Sequence, residues 1–150
     1  LDVCAGLGAD ILIDYKSADF VASVRDATDG RGADVVLDVV GGPYLARNLA
    51  VLATGGRLVV IGMQGGRTAE LDLGLLLAKR ASVTGTALRG RPVAQKAEHV
   101  DQVRQPLRTM LGDGRVKPFV PATVPIEQAG QAHRMVEDSS HIGKVLLTMP

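Results

Sequence analysis

Two short apolar runs, Val35-Val36-Leu37-Asp38-Val39-Val40 and Leu58-Val59-Val60-Ile61, each stop at glycine, and between them Leu45, Leu49 and Leu52 recur at helical spacing. Near-continuous β-branched runs of this length are what strands covered on both faces require. Residues 32–66 therefore predict strand, glycine turn, helix, strand, glycine turn, which is the order of a parallel α/β sheet. Gly42-Pro43 puts proline at the first helical position, and Thr54-Gly55-Gly56 returns the chain to its next strand. In open sheets of this kind ligands bind beyond the carboxyl ends of the strands, where glycine lets a backbone turn sharply or approach closely.

The same periods extend the pattern in both directions. Leu1, Cys4, Ala5 and Leu7, with a stop at Gly8, read as the last turns of a helix. Ile11-Leu12-Ile13-Asp14 predicts a brief strand, and Ser17 is placed to cap a helix carrying Phe20, Val21, Val24 and Ala27 on one face. A leucine-rich segment, 71–78, leads to a last strand from Ser82 to Thr86. Ala97, Val100, Val103, Leu107, Met110 and Leu111 mark a long helix, which Pro106 is expected to kink because it has no N–H for the carbonyl of Gln102. Beyond Gly114 the pattern differs. Pro118, Pro121 and Pro125 bracket extended pieces, an amphipathic helix runs from Ile126 to Met135, and a strand from Lys144 to Met149 closes the chain.

Composition narrows the function classes. The 150 residues carry 17 basic and 16 acidic side chains and 3% aromatics, which gives neither a phosphate-tracking basic face nor a base-stacking platform; nucleic acid is not an expected partner. No apolar stretch approaches the roughly 20 residues that span a bilayer, so no membrane partner is expected. The single cysteine, Cys4, allows no internal disulfide framework and makes a reducing, cytoplasmic setting the default. His99, His133 and His141 share no metal-ligand spacing with one another or with Cys4, so no metal site is expected. Ser139-Ser140-His141 lacks a G-x-S-x-G elbow, and residues 85–90 followed by Arg91-Pro92 lack the Lys and Ser/Thr of a P-loop. The dinucleotide fingerprint G-x-G-x-x-G is also missing: Gly6-Leu7-Gly8 and Gly30-Arg31-Gly32 both fail at the third glycine. Together with the helix remnant at the start, this suggests the C-terminal part of a longer protein.

Four ordered motifs, LGADILIDY at 7–15, GADVVLDVVGG at 32–42, LATGGRLVVIGMQGG at 52–66 and HIGKVLLTMP at 141–150, resemble the zinc-free quinone oxidoreductases of the medium-chain dehydrogenase/reductase superfamily, closest to the tumour-suppressor-inducible group. The resemblance implies an α/β fold, an incomplete Rossmann-like doubly wound parallel sheet holding the third to sixth strands of the order 3-2-1-4-5-6. Residues 1–116 would be the C-terminal part of the dinucleotide-binding domain, and 117–150 a segment returning to a GroES-like catalytic domain. It also implies an enzyme that passes hydride from NADPH, with NAD as the alternative cofactor, to a quinone or other conjugated carbonyl. The isolated segment is expected to be inactive, since the pyrophosphate site would lie upstream.

The family pattern maps cofactor contacts onto particular residues. Tyr15 matches a tyrosine near the adenosine ribose, and Gly41 a glycine close to the cofactor at the end of the fourth strand. Gly62, Met63 and Gln64 match the segment over the nicotinamide ribose, Thr86, Ala87 and Leu88 the backbone that holds the carboxamide, and Lys144 a point charge for phosphate or ribose. Catalytic residues are not assigned. Rival readings are an enoyl-thioester reductase or a zinc-dependent alcohol dehydrogenase on the same fold, and a non-catalytic nucleotide-binding or structural relative. A homodimer is expected through the edge strand from Ser82 to Thr86.

Overall fold

Strands β1 (Ala33–Asp38) and β2 (Leu52–Val60) pair in parallel, and β3 (Ser82–Gly85) adds parallel to the far side of β2, giving a three-stranded sheet in the order β1-β2-β3. The computed structural model describes residues 1–139 and 141–149, divided between two compact units, Leu1–Gly90 and Arg91–Pro150. The sheet belongs to the first unit, with helices α1 (Asp2–Gly6), α2 (Phe20–Ala27), α3 (Leu45–Val51) and α4 (Leu73–Lys79). Mixed α/β structure with parallel strands was the expected class.

Alternation along β1 sends Val36 to one face and Val35 and Leu37 to the other. On the first face Leu49, Leu52 and Leu58 are fully buried, with Val36, Leu45, Val60, Leu75, Leu76 and Ala81 packed around them. Burying a leucine contributes about 1.5–3 kcal/mol, so these three side chains anchor the unit. On the opposite face Val35, Leu37 and Val39 stay 49%, 65% and 44% exposed. The carboxyl end of α3 is held by cations: Arg25 donates to the carbonyl of Ala50 at 3.0 Å, and the Lys79 ammonium donates to the carbonyls of Ala50 and Leu52. Burial lowers the Lys79 pKa below the usual lysine range.

Three local expectations are corrected. Residues 11–14 form no strand, so the sheet holds three strands rather than four, and Val36 pairs with Leu58. A strand without a neighbour has no partners for its backbone groups. Here the Asp14 carboxylate instead gathers the Lys16 amide at 3.0 Å and the Ser17 hydroxyl at 3.1 Å into a turn. Ser17 is thereby occupied, and α2 is capped by Asp19, which accepts from the Val21 amide at 3.1 Å. The turn expected at Thr54-Gly55-Gly56 is absorbed into β2 as an irregularity: Ala33 registers with Leu52, but Val35 already registers with Arg57.

In the second unit α5 (Val93–Gly112) runs through Pro106 as one helix. Its apolar side is exposed, Val100 by 58% and Leu107 by 38%. Strands β4 (Ala122–Pro125) and β5 (Val145–Thr148) pair in parallel, and α6 (Ala129–Glu137) joins them through the buried Val124 and Ala132. In this division α5 groups with the tail.

Candidate functional site

The chain leaves β1 and β2 by two loops that are knitted together at the carboxyl end of the sheet. The amides of Ile61 and Gly62 donate to the carbonyl of Asp38 at 2.8 and 3.3 Å, that of Gln64 to Val39 at 3.1 Å, and that of Gly65 to Val40 at 2.8 Å. In the other direction the Gly42 amide donates to the Gly66 carbonyl at 3.0 Å. Asp38, 4% exposed, turns its carboxylate onto its own loop: Oδ1 accepts from the Val40 amide at 2.8 Å and Oδ2 from the Gly41 amide at 3.0 Å. Gly41 has φ +86°, and a Cβ there would lie 2.6 Å from the Gly66 carbonyl oxygen and 3.0 Å from the Met63 Cα. Only glycine fits that position.

A cleft of about 640 Å³ opens beside these loops. Tyr15, Phe20 and Tyr44 supply aromatic walls, Leu37, Val39 and Val40 apolar ones, and Asp38, Asn48 and Gln64 the polar side chains. Its aromatic and apolar walls suit a flat group, and its lining, which among the described residues holds Asp38 and neither lysine nor arginine, does not suit a phosphate. One wall is braced from behind: Phe20 and Tyr44 stack, and the Arg47 guanidinium lies 4.3 Å from the Phe20 ring centre. Arg47 also donates to Asp19 at 2.9 Å. That hydrogen bond, with the one from the Val21 amide, holds the Asp19 carboxyl below its usual range. Asn48 is buried on α3, and its Nδ2 has no hydrogen-bond partner among the described residues.

The residues expected from sequence are distributed unevenly over this geometry. Tyr15 and Gln64 line the same cleft. Gly41, Gly62 and Met63 belong to the knitted loops, with the Met63 side chain 55% exposed. Thr86 follows β3, its amide donating to the Val60 carbonyl at 3.0 Å, and Ala87 and Leu88 continue from it as exposed residues. Lys144 lies in the second unit, in the turn before β5, where its amide donates to the Phe119 carbonyl at 2.8 Å. Sequence reasoning missed Asp38 and Asn48 as site residues. Their signal was there: each is the one polar residue in an otherwise apolar stretch, VVLDVV and NLAVL.

The comparisons with known proteins agree with this architecture. The zinc-binding dehydrogenase family pattern matches residues 7–147. Quinone oxidoreductase of Rattus norvegicus is 27% identical over 143 residues, 95% of this chain and 42% of that protein. Among solved structures, Escherichia coli quinone oxidoreductase complexed with NADPH superposes with a TM-score of 0.79 at 28% identity, covering 97% of this chain and 45% of that one. The CurK enoyl reductase superposes with a TM-score of 0.74 at 27% identity, covering 99% of this chain and 44% of that one. The chain thus spans less than half the length of these relatives. Among the described residues no group of three or more His, Cys, Asp or Glu side chains is placed to hold a metal ion. With one family pattern running unbroken from the end of α1 into the closing strand β5, this chain belongs to the zinc-binding dehydrogenase family.

Proposed function

We propose that this chain supplies the cofactor-facing end of an oxidoreductase that transfers hydride from NADPH to a quinone or another conjugated carbonyl. The observation that carries the reading is the glycine cradle at Gly41, at the carboxyl end of a parallel strand, where any side chain would collide with the adjoining loop. Support comes from the likeness to a quinone oxidoreductase solved with NADPH. The residues present fit a nicotinamide cofactor: an aromatic-walled cleft for a flat ring, with two knitted backbone loops beside it. When bound, the cofactor supplies the hydride. In this reading residues 62–64 and 86–88 hold its nicotinamide end by main-chain groups, while Tyr15 meets its ribose. Orientation of the ring against the acceptor is the protein's task, and no acid or base of this chain is assigned to the chemistry.

The likeness to an enoyl reductase supports a second reading, reduction of an enoyl thioester on the same scaffold. The test is an assay of the complete polypeptide with NADPH and with NADH, following loss of the reduced nicotinamide absorbance, against a quinone, an enoyl thioester and an alcohol with oxidised cofactor. Turnover with NADPH and the quinone supports the reading, while turnover with the thioester alone selects the second one. Absence of turnover with every acceptor overturns both. A cytoplasmic homodimer belongs to the same proposal: β3 is the outer strand and all four of its residues are exposed, which suits antiparallel pairing with a second copy. Sedimentation of the complete polypeptide checks it, and a monomer at high concentration removes it.

A further inference from the structure

We propose that Asp38 is a positioning residue that holds the cofactor loops in register; this rests on the functional reading above. A carboxylate 4% exposed, with no ion-pair partner among the described residues, is an expensive group to keep at the end of an apolar run. What Asp38 does there is mechanical. Its side chain takes the two amides of its own loop, Val40 and Gly41, and its main-chain carbonyl takes two amides of the neighbouring loop, Ile61 and Gly62. One residue therefore fixes the turn that sets the left-handed Gly41 and also ties it to the segment carrying Gly62 and Gln64.

Carboxylate acceptance from backbone amides is stronger than a neutral hydrogen bond, and here one carboxylate takes two of them. Removing the charge should loosen residues 39–42 first. The neighbouring loop should follow through the bonds from Gln64 to Val39 and from Gly65 to Val40. The two halves of the proposed nicotinamide site would then no longer be held at a fixed separation. Asp38 thus acts through the loops, and because those loops both hold and orient the ring, its loss should appear in cofactor affinity and in the rate once cofactor is bound.

The experiment compares Asp38→Asn and Asp38→Ala in the complete polypeptide by three readouts: amide hydrogen exchange at Val40 and Gly41, NADPH affinity from cofactor fluorescence, and the split between cofactor KM and kcat. Asparagine keeps one acceptor oxygen, so it should hold one of the two amides and fall between the parent and alanine. The expected result is faster exchange at both amides, NADPH affinity weakened about ten- to a hundred-fold, and a lower kcat at saturating cofactor, each larger in alanine than in asparagine. Should the alanine variant not fold, the asparagine variant decides. Unchanged affinity despite opened amides overturns the proposal, and so does weakened affinity with the amides still protected. If the parent protein binds no reduced nicotinamide cofactor, the functional reading fails and this role falls with it. Faster exchange at Val40 and Gly41 would then mark the loop geometry as sound and the assigned ligand as the error.

Discussion

The rings of Phe20 and Tyr44 lie parallel, with centroids 5.6 Å apart and planes 1° from each other, and the Arg47 guanidinium covers both, 4.3 and 5.4 Å from their centres. This stack joins the first turn of α2 to the start of α3 and forms the outer wall of the cleft. Arg47→Ala should lower stability by about 0.5–1 kcal/mol for the lost cation–π contact, read as a lower urea midpoint with an unchanged slope. Lysine at this position should recover little, since an ammonium cannot lie flat over two rings.

The same arginine makes α2 sensitive to acid. Because its hydrogen bond and that of the Val21 amide depress the Asp19 pKa, the unfolded chain takes up the proton first as pH falls. The contribution of Asp19 is therefore complete above the ordinary carboxylate value, about 4, and disappears as pH falls through its lower folded value. Asp19→Asn keeps an oxygen for the cap but removes the titration. The stability gap between parent and variant should narrow on acidification below about pH 4, as followed by thermal melts across that range.

Two glycines with positive φ should respond very differently to alanine. At Gly55, φ +78°, a Cβ meets nothing within 4 Å, so only the backbone conformation resists, a loss of about 1 kcal/mol. At Gly41 the same strain is joined by collision with the Gly66 carbonyl, and the loss should reach about 2 kcal/mol or more. Cofactor binding should fall in Gly41→Ala alone. Equal effects on stability would contradict the geometry of the cradle.

Asn48 offers a gain instead of a loss. Its buried Nδ2 has no partner among the described residues, so Asn48→Leu, of similar size, should raise stability by about 1–3 kcal/mol. A denaturant series on the 150-residue chain tests it, and a destabilised variant would show that the amide has a partner.

How much of this was legible depends on how local each cause is. The runs around Val36 and Leu58 and the proline start at Pro43 follow from spacing and turn chemistry within a few residues, whereas the edge position of β3 was implied by the family's strand order. Residues 11–14 had strand composition, yet a strand needs a neighbour, and composition cannot say whether one is there. The cap expected at Ser17 falls on Asp19, because Asp14 binds Ser17 into an earlier turn. At the site, glycine spacing exposed Gly41 and Gly62, since a missing side chain leaves a readable gap. Asp38 and Asn48 were not assigned, because a lone polar residue in an apolar run acquires meaning only when its partners, or their absence, are seen in three dimensions.

Leu49, Leu52 and Leu58 all fall between the first residue of β1 and the last of β2, joined by a single short helix. Closing that strand–helix–strand loop requires little chain entropy, and the reward for closing it is the most deeply buried part of the unit. Folding of this unit is therefore expected to nucleate there, with β3 and α4 condensing onto a scaffold already formed. Truncating Leu49 should slow refolding, whereas a change in β3 such as Val83→Ala should chiefly hasten unfolding. The segment that shapes the cleft is, on this view, also the first to take shape, so the knitted loops at Asp38 gain their geometry early and the rest of the unit is built around them.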